Sequence, residues 1–144
     1  MNEVENFKTI LIEKGASVTK TRLALFHTLQ QMNKPAKTGE IAKQTPSVNR
    51  TSVYRTLELF AELGITTTIV RGWTPLVELA EPFKAHHHHI VCRNCGVSQS
   101  IESETLEDVL AVVAKRHGYT LEQHTVELTG LCSACQKTAQ AILT

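Results

Sequence analysis

The chain has 144 residues, 42% hydrophobic and 20% charged, which is the composition of a folded globular protein and excludes a disordered one. No apolar run approaches the roughly 18 residues a bilayer span needs. The acidic start, Met1-Asn-Glu-Val-Glu-Asn6, is not a secretory leader, so a cytoplasmic location and no membrane partner are expected. The net charge of +1 is unevenly spread: residues 1–80 hold ten Lys/Arg against seven Asp/Glu (+3), and residues 81–144 hold five against seven (−2). A polyanion-binding surface is therefore expected in the first half. Six of seven histidines and all four cysteines lie after residue 85. A basic module precedes one rich in metal-ligand residue types.

In chain order, the apolar spacing of 4–14 predicts a short helix ending near Gly15. Thr19 caps a second helix over 20–32, with Leu23, Phe26 and Leu29 at helical spacing. Thr38 caps a third over 39–44, and Pro46–Asn49 is a turn. A fourth, over 50–63, carries Val53, Leu57 and Phe60 on one side and stops at Gly64. The third and fourth outline a helix-turn-helix. The β-branched run Ile65-Thr-Thr-Thr-Ile-Val70, the turn Arg71–Pro75 and the returning strand Leu76–Leu79 add a hairpin, giving a winged-helix pattern. Residues 81–85 are read as a hinge between modules 1–80 and 86–144. In the second module, strands are expected over 86–92 and 97–101. A helix capped by Ser103 follows over 104–117, then a long strand over Tyr119–Leu131 and a short helix after Cys135.

Cys92-Arg-Asn-Cys95 and Cys132-Ser-Ala-Cys135 are two CxxC pairs separated by 36 residues. Each CxxC turn brings two thiolates to one point, and two such turns complete the tetrahedral set that structural Zn²⁺ prefers. Buried core cysteines and redox chemistry are the competing readings. A thioredoxin-type site uses one CxxC near a βαβ pattern, not two. A module of some 60 residues also benefits from a staple.

His86–His89 lead straight into the strand of Cys92. If extended, His86 and His88 face one way, and His87 and His89 the other. The run then suits two metal sites on opposite faces. Two residues are candidates to complete the first: His124, on the strand face of Val126 and Leu128, and Glu107, beside the apolar stripe Leu106, Val109, Leu110 and Val113. The bland reading, a solvated polar run, stands beside this. His27 reads as a surface residue and His117 as a cation at a helix C-terminus.

On the other side of helix 50–63 from its apolar stripe stand Arg50, Thr51, Ser52, Tyr54 and Arg55. Arginine binds phosphate or guanine, and Thr and Tyr can meet a thymine methyl. The competing reading is a solvated helix face.

Together these residues resemble the ferric-uptake-regulator (Fur) family of metal-dependent repressors. The resemblance runs from about residue 10 to 136. It is carried by Val18-Thr-Lys-Thr-Arg22, Thr51-Ser-Val-Tyr-Arg-Thr-Leu57, Val77-Glu-Leu79, the His run into Cys92-x-x-Cys95-Gly96, Arg116-His-Gly118 and Gly130-Leu-Cys-x-x-Cys135. It implies an α+β fold: an N-terminal winged-helix DNA-binding domain, then a small α/β dimerisation domain with a four-cysteine zinc site. It implies that Cys92, Cys95, Cys132 and Cys135 hold structural zinc. His86, His88, Glu107 and His124 fall on a site inside the dimerisation domain. Glu78, His87 and His89 fall on the sensory site at the hinge, for regulatory Zn²⁺ or Fe²⁺. Tyr54 and Arg55 fall on the recognition pair, within a DNA-binding set of Arg22, Arg50, Thr51, Ser52, Tyr54 and Arg55.

Many members carry a His before the third helix, where this chain has Ala36 or Pro35; Glu81 or water would then complete the hinge site. The loop from Glu78 to His86 and the Gly-Leu-Cys-x-x-Cys ending are closer to the zinc-uptake-regulator branch, although that branch often has a cysteine in place of Glu78. The expected function is a metal-loaded homodimeric repressor of zinc-uptake genes on a palindromic operator. Iron, manganese or peroxide responsiveness is the alternative. A zinc hydrolase would need an open metal site with a general base, and no His-Glu-x-x-His is present. A zinc-stapled interaction module is the other rival. Neither an enzyme activity nor a small-molecule substrate is expected.

Overall fold

The computed structural model describes residues 2–143, with side chains to 141. The chain divides into two compact units, Met1–Ala85 and His86–Thr144.

The first unit holds α1 (Glu3–Glu13), α2 (Lys20–Gln31), α3 (Thr38–Gln44), α4 (Arg50–Glu62) and the antiparallel strands β1 (Thr66–Arg71) and β2 (Thr74–Leu79). Side chains start its helices as N-terminal donors require. Asn2 and Glu5 close a capping box on α1; Thr19 Oγ1 accepts from the Arg22 N–H at 3.2 Å, and Asn49 Oδ1 from the Ser52 N–H at 2.9 Å. Thr38, expected as a cap, is instead the first residue of α3. Lys37 occupies the cap, because Glu40 reaches back to its backbone N–H at 2.9 Å and so fixes the start one residue earlier. The core is aromatic: Phe7 stacks on Phe26 with centroids 4.2 Å apart, and Phe60 meets Phe7 edge-on at 5.4 Å. Such pairs add about 0.5–1.5 kcal/mol each beyond burial. Phe83 joins them, edge-on to Phe26 at 5.0 Å. Residues 81–85, read as a hinge, therefore belong to the first unit, since the ring of Phe83 anchors them there. Around the turn between α3 and α4, Thr45 Oγ1 lies 2.9 Å from both Thr28 Oγ1 and the Ile41 carbonyl, fastening that turn to α2.

The second unit holds β3 (His88–Cys92), β4 (Ser98–Ile101), α5 (Glu104–Arg116), β5 (Glu127–Gly130) and α6 (Ser133–Leu143). The sheet order is β4-β3-β5, with β4 antiparallel and β5 parallel to β3. Ser103 caps α5, its Oγ 3.2 Å from the Leu106 N–H. The expected strand over Tyr119–Leu131 is shortened to Glu127–Gly130. A ladder needs a partner strand, and the β3 register runs only from His89 opposite Glu127 to Cys92 opposite Gly130. Residues further back are not paired with β3, and alternation alone does not make a strand. The last helix starts before Cys135 rather than after it, so this cysteine lies in its first turn.

Candidate metal centres and nucleic-acid face

The four cysteines come together at one end of the sheet. Cys92 ends β3, and Gly96 folds back with its N–H 2.9 Å from the Cys92 carbonyl. That turn needs a left-handed residue, and Gly96 has φ 75°. Cys132 follows β5, and Cys135 lies on α6. The four Sγ atoms all lie within 4.8 Å of one another, and Cys95 Sγ to Cys132 Sγ is 3.7 Å. A tetrahedron with Zn–S bonds of about 2.3 Å has edges of about 3.8 Å, so the donor set fits zinc. Backbone N–H groups of Cys132 and then Cys95 lower the Cys92 thiol from 9.0 to about 6. The Asn94 amide donates to Cys135 Sγ at 3.2 Å and lowers that thiol. Cys132, burial and the two other thiols outweigh it and push Cys135 up to about 11. Crowded thiols without a cation cannot all ionise; a divalent ion removes that conflict.

The histidine run alternates as extended backbone dictates. The His86 and His88 rings lie 4.8 Å apart, as do those of His87 and His89. The first pair meets both candidates to complete its site. His86 Nε2 is 3.0 Å from His124 Nε2; His88 Nε2 is 2.6 Å from Glu107 Oε1, and His124 Nε2 is 3.0 Å from Glu107 Oε2. All four donor atoms lie within 4.8 Å. Three imidazole nitrogens and a carboxylate oxygen suit Zn²⁺ or Fe²⁺. The hydrogen bond from His88 first, then the charges of His124 and His86, hold the Glu107 carboxyl below its usual range. His124 reaches this group although it lies outside β5. Spacing along the chain could not decide that.

Glu78 lies on β2 in the first unit, opposite Thr67, and is buried. Its Oε2 is 2.7 Å from Lys84 Nζ. His87 and His89 belong to the second unit. Ala36, which with Pro35 stands where the resemblance implies a further ligand, is buried and bonded to Val77 through both backbone groups, at 3.0 and 2.8 Å. Glu81 is exposed.

On α4, Val53, Thr56, Leu57 and Phe60 face the core, while Arg50, Thr51, Tyr54 and Arg55 are exposed and Ser52 half-buried. The Arg50 guanidinium lies 5.6 Å from the centre of the Tyr54 ring and donates to its hydroxyl at 3.2 Å. The Arg22 guanidinium donates to the Ser17 carbonyl, and at 3.2 Å to the Ser17 hydroxyl. His27 is exposed and 3.1 Å from Gln30, and His117 caps the end of α5, both as expected. Asn94 and Lys84 escaped the sequence reading. Asn94 is a non-ligand position within the first CxxC pair and Lys84 lies in no ligand pattern, and only the folded chain brings each to its partner.

A helix-turn-helix with a basic exposed face and a β-hairpin, on a chain that also gathers two sets of metal ligands, defines a metal-responsive DNA-binding regulator. The model of the ferric uptake regulator family matches residues 13–129, and the chain belongs to that family. The ferric uptake regulation protein of Campylobacter jejuni is 36% identical over 139 residues, covering 92% of this chain and 87% of that protein. The zinc uptake regulation protein of Mycobacterium tuberculosis is 32% identical over 99 residues, covering 67% of this chain and 74% of that one. The Vibrio cholerae ferric uptake regulator matches with a TM-score of 0.72 at 27% identity, over 87% of this chain and 98% of that one. The Helicobacter pylori ferric uptake regulator shares the fold, with a TM-score of 0.75 at 22% identity, over 92% of this chain and 91% of that one. Members of this family regulate transcription and are not enzymes.

Proposed function

We propose that this protein is a zinc-loaded, homodimeric repressor of zinc-uptake genes that acts in the cytoplasm on a palindromic operator. Residues 1–80 read DNA, and residues 86–144 dimerise and hold metal. The observation that carries the reading is the meeting of His86, His88, Glu107 and His124, a set of four donors of the kind zinc takes. Cys92, Cys95, Cys132 and Cys135 hold a structural zinc that staples the second unit. No residue of α5 is buried, and Val109, Val112 and Val113 are each about half exposed, at 53%, 49% and 48%. A second copy covering that face accounts for its apolar character.

Glu78, His87 and His89 hold the sensed ion. A bound ion supplies charge neutralisation and a bridge between ligands. A ligand shifts an equilibrium only by its differential affinity for two states. Ligation by residues of both units selects one arrangement of them, in which each copy's α4 enters the major groove. The dimer then reads half-sites about 34–36 Å apart.

Iron is the second reading, favoured by the Campylobacter jejuni relative, which matches more of the chain at higher identity than the zinc regulator does. Metal analysis of untagged protein, then operator binding against titrations of Zn²⁺, Fe²⁺ and Mn²⁺, separates them. Half-maximal binding at the lowest free Zn²⁺ supports zinc. A response to Fe²⁺ with zinc confined to the cysteines transfers the reading to iron. No operator binding in any metal overturns both.

A further inference from the structure

The Lys84–Glu78 pair has one buried member and one partly exposed one. Glu78 is 6% exposed and held within β2 by its pairing with Thr67. Its neighbour Val77 is clamped to Ala36 from the other side. Such a carboxylate cannot swing into water, and ionised it needs a positive partner. Lys84 supplies one at 2.7 Å, with a side chain that is 27% exposed. Its four-carbon stem is flexible and its ammonium is readily hydrated. A cavity of about 230 Å³ borders the pair, lined in part by Leu29, Met32, Asn33, Leu79 and Phe83, so the ammonium has room to leave.

We infer that Lys84 is an internal competitor of the regulatory metal. It holds the Glu78 carboxylate in the metal-free protein and must release it when a divalent cation takes that carboxylate. The inference rests on the reading of Glu78 as a hinge-site ligand. An ammonium and a divalent ion sharing one poorly solvated carboxylate repel each other. The ion therefore binds at the cost of the ion pair, and the weaker site is tuned to a higher free-metal concentration than its ligands alone would set. Metal binding also frees a cation on the segment that leads into His86.

The test is a chelator-competition titration of Zn²⁺ on the intact dimer, reading the weaker regulatory site. Lys84→Met keeps the stem and removes the charge. It should bind zinc about tenfold tighter at that site, the scale of one hydrogen bond to a charged group. Lys84→Arg keeps the charge and adds a fork that grips a carboxylate at two points, so it should bind zinc more weakly than the wild type. Glu78→Gln and His89→Ala should lose the site. Glu78→Gln weakening zinc while Lys84→Met leaves it unchanged or weaker would overturn the inference and leave the hinge reading intact. Wild-type zinc affinity in both Glu78→Gln and His89→Ala would instead remove the hinge reading, and the inference with it. Should Lys84→Met fail to fold, Lys84→Arg decides alone: weaker binding supports competition, and unchanged or tighter binding overturns it.

Discussion

Arg55 stands next to Tyr54 on the exposed side of α4, away from the buried Val53, Thr56, Leu57 and Phe60. Arg55→Ala should cost roughly 1–3 kcal/mol of operator affinity if the guanidinium meets a base. Zinc content and dimerisation should stay as they are; unchanged operator binding by a Tyr54→Ala/Arg55→Ala protein would place the recognition surface elsewhere. The cysteines give a pH dependence of definite sign. The Cys92 thiolate, with its pKa lowered from 9.0 to about 6, stabilises the metal-free fold fully above pH 9.0 and no longer below about 6. Cys135, raised to about 11, holds its proton at neutral pH and must lose it to bind zinc. Zinc affinity should thus rise with pH, about tenfold per unit for each proton released. It should fall further in acid as Cys92 also takes up its proton near 6. Zinc retained by the cysteines, measured against a chelator from pH 5 to 8 with chelator protonation corrected for, checks this; a flat profile contradicts it. The alternation of the four histidines was legible because it is a property of extended backbone. The partners of Asn94 and Lys84 were not, because they depend on where the chain returns.

Among the elements, those with local starting signals were readable to within a residue or two. Thr19, Asn49 and Ser103 each satisfy a backbone N–H at the start of a helix, and apolar spacing fixes which face of α4 is buried. Asn49→Ala should destabilise the first unit by about 1 kcal/mol, the usual worth of an N-cap. The midpoint of thermal or urea unfolding measures it, and an unchanged midpoint would mean water replaces the cap without loss. β5 was less legible. Its sequence alternates back to Tyr119, yet only Glu127–Gly130 forms a strand, because strand length depends on the partner as well as the pattern. Glu107 and His124 were recognisable as metal-competent residues. Their convergence with His88 is a property of the folded chain, which a single chain pattern does not encode.

At the scale of the whole molecule, the proposed metal sites should carry different duties. The four-cysteine site joins the end of β3 to the start of α6 in a unit of few buried side chains. Structural zinc sites contribute on the order of 10–16 kcal/mol near neutral pH, which rivals the roughly 5–15 kcal/mol stability of a whole domain. Cys95→Ser should therefore unfold residues 86–144 or abolish the dimer, and a folded, zinc-free dimer of this variant would contradict a structural role. The two histidine pairs should separate. His88 is 2% exposed and 2.6 Å from Glu107, inside a set of four ligands that all belong to the second unit. Loss of His88 leaves a gap in that unit and takes from Glu107 the shortest of its three histidine contacts, so His88→Ala should lower the unfolding midpoint and weaken operator binding only as a consequence. His89 has His87 beside it and, in the proposed sensory site, Glu78 of the other unit as third ligand. A site with three protein ligands, one of them contested by Lys84, binds more weakly and exchanges with the metal pool, and sensing requires exchange. His89→Ala should thus remain a folded dimer with full structural zinc, yet bind the operator equally with and without added metal, at the metal-free level. A His89→Ala protein that still tightens on DNA when metal is added would move sensing to the His86, His88, Glu107 and His124 site.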